Sequence, residues 1–235
     1  MRKRSKAYKV KLEKVDKAAK LPIKKAVDLL VTLPKAKFDE TVDLSFKLGI
    51  DPKQSDQNVR GTVGLPKGSG KKVRVAVVAD GEAANKAKAA GADHVGFEDL
   101  IGKIKGGWLE FDILISTPSA MNQVRTLGKV LGPKGLMPNP KTGTVTEQVD
   151  VAVKESKAGR VEFRIDKGAC IHVPAGKMSF KKEDIEENCR AIIQAIVRAK
   201  PAASKGVYIE SCTLSSTMGP GIRVDVNEFS KAVVS

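Results

Sequence analysis

Hydrophobic and polar positions change period several times along the chain, and each change predicts a different element. In "LPIKKAVDLLVTLP", Ile23, Val27, Leu30 and Val31 recur at the three- and four-residue spacing of one helix face. Pro22 stands near the start of that helix and Pro34 beyond its end. The period then becomes two: in "TVDLSFKL", Val42, Leu44, Phe46 and Leu48 alternate with Thr41, Asp43, Ser45 and Lys47, as in a strand buried on one side only.

Past the Gly- and Pro-rich "GLPKGSGKK" the pattern changes again. "VRVAVVAD" is almost wholly apolar, as a strand covered on both faces must be, and it leads into the helical "GEAANKAKAAGAD". "HVGF", helical "EDLIGKIKGG", the strand "FDILISTP" and helical "AMNQVRTLGKVLG" continue an α/β alternation that implies a largely parallel sheet. Near residue 159 half-buried strands return. "VEFRID" and "ACIHVP", joined by "DKG", predict a hairpin. "SFKKEDIEENCRAIIQAIVRAK" predicts a helix with Ser179 as N-cap and Ile185, Cys189, Ile192 and Ile196 on its buried face. "GVYIESCTLSS" and "IRVDV" predict two last strands around the loop "TMGPG".

The expected fold class is therefore mixed α+β and α/β in two domains. Residues 1–66 with 160–235 form a split α+β sandwich domain containing both termini, and residues 67–159 form an inserted Rossmann-like α/β domain. Two chain crossings between them make a natural hinge.

Charge sharpens this picture. The 235 residues carry 42 Lys and Arg against 27 Asp and Glu, a formal net charge of +15, which calls for a polyanionic partner, nucleic acid first. The split domain holds most of the excess, net +11 against +4 for the insert. Within the basic arm, Arg2, Lys3, Arg4, Lys6, Lys9 and Lys11 read equally as a solvated segment or as phosphate contacts. Three cysteines without C-x-x-C spacing suggest neither a disulfide framework nor a zinc site. The absence of a signal-peptide core or of a run near the roughly 20 apolar residues of a membrane span predicts a soluble, unsecreted protein with no membrane partner.

Catalytic motifs are weak. "GLPKGSGKK" has neither the spacing of a phosphate-binding loop nor its Ser or Thr, and "VVADGEAANK" has one glycine where a dinucleotide fingerprint needs three. His94 and His172 accompany no nucleophile motif, and Cys170 with His172 makes two ligands, too few for a metal site. No cofactor or metal is expected. The rival readings are an α/β enzyme working through the insert, with activity independent of RNA, and a basic scaffold that binds any polyanion. Only 4% of residues are aromatic, so base stacking on a sheet is not expected. The hydroxyls and glycines of "CTLSSTMGPG" suit hydrogen bonding to ribose and phosphate of a folded RNA.

Three stretches, "AKFDETVDLSFKLGIDPKQSDQNVRGTVGLP", "LGKVLGPKGLMPNPKTGTV" and "GRVEFRIDKGACIHVPAGKMSF" with "STMGPGIRVDV", closely resemble the ribosomal protein L1 family. The resemblance implies a non-enzymatic protein of the bacterial or plastid type, monomeric within the ribosome, in the bacterial cytoplasm or plastid stroma. Its implied partners are the mobile stalk of large-subunit ribosomal RNA, the exit-site tRNA whose release it assists, and its own messenger RNA, whose translation it represses. The implied RNA-binding residues are Lys37, Phe38, Glu40 and Thr41 at the first strand and Ser211, Thr217, Met218 and Gly219 in the last hairpin. Lys47, Arg164, Lys167 and His172 join them on polar strand faces. Chemically, hydroxyls would bond ribose and phosphate, Met218 and Phe38 would pack on sugar or base faces, and Gly219 would permit close approach. Glu40, a carboxylate, would accept from a ribose hydroxyl or a guanine amino edge, or orient Lys37.

Overall fold

The computed structural model describes residues 4–16, 18–204 and 206–226. Its elements in chain order are α1 (Lys6–Glu13), α2 (Ile23–Thr32), β1 (Thr41–Leu48), β2 (Arg60–Gly64), β3 (Val75–Val78), α3 (Gly81–Ala89), β4 (His94–Gly96), α4 (Glu98–Lys105) and β5 (Ile113–Ser116). There follow α5 (Met121–Val124), α6 (Gly128–Leu131), α7 (Val149–Ala158), β6 (Arg160–Arg164), β7 (Cys170–Lys177), α8 (Lys182–Arg198), β8 (Ile209–Ser216) and β9 (Ile222–Val224). The backbone divides into two compact units, one running to Gly70 and resuming at Val161, the other Lys71–Arg160.

In the first unit an antiparallel sheet of order β7-β1-β8-β9 has β1 at its centre. The alternation of β1 decides its two faces. Val42, Leu44, Phe46 and Leu48 are each at most 1% exposed and enter the core with Ile171, Val173, Cys212 and Leu214. Helices α2 and α8 supply the other half of that core through Ala26, Val27 and Leu30 and through Ile185, Cys189, Ile192 and Ile196. Each such large apolar side chain contributes about 1.5–3 kcal/mol by burial. The opposite face of β1, with Thr41, Asp43, Ser45 and Lys47, is only half-buried.

In the second unit β3 lies between β4 and β5 in a parallel sheet. Its side chains serve two cores in turn: Val75 and Val77 pack with Ala87, Val149 and Val153, while Ala76 and Val78 pack with Leu100, Ile104, Val124 and Leu127. That double service is why the strand has no polar alternation. Asp80 caps α3 by accepting the Gly81 N–H at 2.7 Å.

Several expectations need correction. "VEFRID" and "ACIHVP" do not pair as a hairpin: β6 pairs with β2, and β7 pairs with β1. Asp166 makes the turn look like a hairpin, since its carboxylate accepts the Gly168 and Cys170 N–H groups at 2.8 and 2.7 Å, but the ladders run elsewhere. Ser179 is not the cap of α8. The helix starts later, at Lys182, without a side-chain cap, and the Ser179 hydroxyl and N–H donate instead to Asp39 at 2.9 and 3.1 Å. The helix expected over 120–132 is split by a 3-10 turn at Arg125–Leu127 into α5 and α6. Helix α7 and strand β2 were not anticipated. The basic arm is helical in α1, whereas Arg2 and Lys3 lie outside the described residues.

Candidate nucleic-acid interface

The half-buried face of the four-stranded sheet is a grid of short polar side chains. Opposite Asp43, Ser45 and Lys47 on β1 stand Ser215, Thr213 and Ser211 on β8, and on the other side Pro174, His172 and Cys170 on β7. Arg223 on β9 pairs with Thr213, and Lys177 on β7 with Thr41. Ser45 Oγ lies 2.9 Å from His172 Nδ1, Lys47 Nζ donates to the Gly168 carbonyl at 2.7 Å, and Lys177 Nζ donates to Thr41 Oγ1 at 2.8 Å. Burial among these groups raises the pKa of Asp43, against the opposing pull of the His172 and Lys177 charges. Apart from the His172 imidazole, which is tied to Ser45, no aromatic ring stands in these rows. The surface is suited to hydrogen bonds and phosphate contacts rather than stacking.

At one end of β1 the sheet closes on the loop Thr217–Gly219. Thr217 N–H donates to the Thr41 carbonyl at 3.1 Å, and Thr41 N–H donates back to Thr217 Oγ1 at 3.0 Å. The hydroxyl also donates to the Thr41 carbonyl at 3.3 Å, so its second lone pair is what remains available to a ligand. Beneath the loop lies Glu40. It is 1% exposed, so it offers nothing to the surface, and no hydrogen bond or ion pair between it and Lys37 is formed. Instead Oε2 accepts from Ser216 Oγ at 2.6 Å and from Met218 N–H at 3.0 Å, while Oε1 accepts from Ala36 N–H at 2.7 Å. Lys11 Nζ stands 3.6 Å from Oε1. Burial pushes the Glu40 carboxyl upward, but the Ser216, Met218 and Ala36 hydrogen bonds and the Lys11 charge together hold it below the usual carboxylate range. Glu40 acts as an internal anchor for the rim.

The anchored rim exposes two apolar side chains, Phe38 at 54% and Met218 at 56%. Lys37 is exposed beside Phe38, next to an open cleft of about 290 Å³ lined in part by Lys35, Asp39, Met178 and Ser179. Gly219 has an internal reason for lacking a side chain: a Cβ there would come 2.5 Å from Ser216 Oγ, the hydroxyl that bonds Glu40.

The expected residues therefore fall into groups. Thr41, Thr217, Met218, Gly219, Lys37 and Phe38 gather at the rim. Ser211, Lys47 and His172 lie toward the other end of the same face, six residues or about 20 Å along β1. Arg164 ends β6, in the separate two-stranded ladder, and Lys167 is exposed in the turn that follows. Lys177, Arg223, Ser45 and Thr213 complete the face and were missed, although the period-two pattern of their strands pointed to Ser45 and Thr213. Lys11 and Ser216 were missed as scaffold.

Among the described residues no group of three or more His, Cys, Asp and Glu side chains could hold a metal ion, and no helix is long and apolar enough to cross a membrane. In the second unit, His94 meets Trp108 edge to face at 4.8 Å.

An open basic sheet with a row of hydroxyls and two apolar side chains at its rim has the chemistry of a protein that grips folded RNA by backbone and shape. The family model described as the Ribosomal protein L1p/L10e family matches residues 29–220, and the chain belongs to that family. It is a ribosomal protein that binds ribosomal RNA in the large subunit, in a family of ribosome components rather than enzymes.

Proposed function

We propose that the first unit binds the mobile stalk of large-subunit ribosomal RNA through the polar face of its four-stranded sheet. The two units then serve as functional domains, the split one holding RNA and the second helping deacylated tRNA leave the exit site. The same RNA surface represses translation of the protein's own messenger where that RNA imitates the stalk. The protein works as a monomer in the ribosome, in the cytoplasm or plastid stroma.

The observation that carries this reading is the rim. Phe38 and Met218 stand exposed on loops whose backbones are held by one buried carboxylate, beside the Thr41–Thr217 pair and above a face carrying Lys47, His172, Lys177 and Arg223. Exposed apolar groups on a rigid support suit packing against sugars, and the cations suit phosphates. Lys37, Lys167, Arg164 and Ser211 extend the contact.

The test is a titration against a stalk-like RNA fragment and an equal-length plain duplex across a salt series. Preference for the stalk that survives high salt supports the reading; equal binding to both, abolished by salt, leaves only net charge at work. Repression is measured with a reporter carrying the messenger's leader, and tRNA release by exit-site occupancy in ribosomes lacking the protein.

A further inference from the structure

Helix α1 is a poor candidate for docking by hydrophobicity. Of its eight residues the one buried is Lys11, 5% exposed, while Val10 is 49% exposed and Lys6, Lys9 and Glu13 face solvent. A lysine is buried only where its charge is met. Lys11 Nζ meets the carboxylate of Glu40 at 3.6 Å and donates to the carbonyl oxygen of Met218 at 3.3 Å. Met218 is thus gripped at both ends, its N–H by Glu40 and its carbonyl by Lys11, so that only its side chain projects. The same carboxylate fixes the Ala36 N–H at the base of the loop that projects Phe38. Helix α1 also lies before residue 29, where the family match begins.

We propose that Lys11 is a positioning residue for the RNA interface: helix α1 reaches the rim through this one ammonium group and locks the Met218 loop in its RNA-binding shape without touching RNA. The inference rests on the RNA-binding reading of the first unit. It separates Lys11 from its neighbours on the arm. Lys6 and Lys9 are free to meet phosphates, whereas Lys11 has its charge committed inside the protein.

The experiment uses the full chain and compares Lys11→Met, Lys11→Arg and Lys9→Met in binding to the stalk-like RNA across a salt series, with amide hydrogen exchange on the free proteins. For Lys11→Met the expected result is about a tenfold loss of stalk affinity at every salt concentration, an unchanged salt slope, and faster exchange at Met218 and Ala36. Lys11→Arg restores most of the affinity, and Lys9→Met lowers the salt slope with little change in exchange at the rim. A reduced salt slope in Lys11→Met would overturn the proposal, since Lys11 would then be a phosphate contact; unchanged Met218 exchange would overturn it equally. If exchange also rises at Leu44 in the core, the fold has been lost, and Lys11→Gln, which retains a donor for the Met218 carbonyl, is read by the same criteria. Should the wild type show no preference for the stalk, the functional reading fails, and exchange in the free protein still decides whether Lys11 locks the loop.

Discussion

The carboxylate of Glu40 accepts the backbone N–H of Met218 at 3.0 Å, joining the residue that precedes β1 to the loop that follows β8. This bond shapes the exposed rim from beneath. Replacing Glu40 by Ala leaves the Met218 and Ala36 amides and the buried Lys11 charge without their partner. The expected loss is about 3–5 kcal/mol in unfolding free energy, read from urea denaturation, because removing one member of a buried ion pair strands the other.

The same carboxyl sets an acid limit. Its pKa is lowered by folding, so the stability it contributes is complete above the ordinary carboxylate range and is lost as pH falls through the still lower folded value. Stability measured from neutrality downward should hold to about pH 4 and then fall, with a shallower fall in Glu40→Gln.

Asp43 runs the other way. Burial raises its pKa, so its folded form favours the proton: the stability it contributes is full below the ordinary aspartate pKa and is lost as pH rises through the folded one. Asp43→Asn should therefore raise the melting temperature at neutral pH while doing little in acid. It should also tighten RNA binding several-fold by removing a negative charge from the middle of the polar face.

Thr217→Val and Thr217→Ser separate two duties of one hydroxyl. Both variants preserve the backbone bond to Thr41, but only serine retains the acceptor for the Thr41 N–H. Valine should cost about 1–3 kcal/mol in stalk binding and less than about 1 kcal/mol in stability, since water can reach the exposed Thr41 amide. Serine should stay near wild type in both titration and unfolding.

Gly219→Ala tests whether this glycine serves the protein or the ligand. The added Cβ crowds Ser216 Oγ and with it the bond to Glu40, so stability should fall by about 1–3 kcal/mol even without RNA. Binding loss without any stability loss would assign the glycine to RNA approach alone.

Much of the fold was legible where pattern and burial coincide. The alternation in β1 marked its wet face, the apolar run of β3 marked a strand between two cores, and the Ile185–Ile196 spacing marked the buried side of α8. Strand β2 was not legible, because "RGTVG" buries only Val63 and its Gly61 is dictated by a partner: a Cβ there would meet the Phe163 ring at 2.7 Å. Ser179 looked like a cap because it precedes an acidic helix start, yet a tertiary partner, Asp39, claims it. At the rim, hydroxyls and exposed apolar residues could be anticipated by type. The burial of Glu40 could not, since it depends on Lys11 and Ser216, which fold against it from distant parts of the chain.

The cysteines of this chain differ sharply in their surroundings. Cys189 and Cys212 are buried in the core, and burial raises both thiols, Cys212 to about 12, which keeps them protonated and unreactive. Cys170 is half-exposed and sits across from Lys47 on the polar sheet face. The wild-type protein thus carries a single usable attachment point for a fluorescent maleimide, already located on the face proposed to bind RNA, so occupancy of that face can be followed optically without altering a residue.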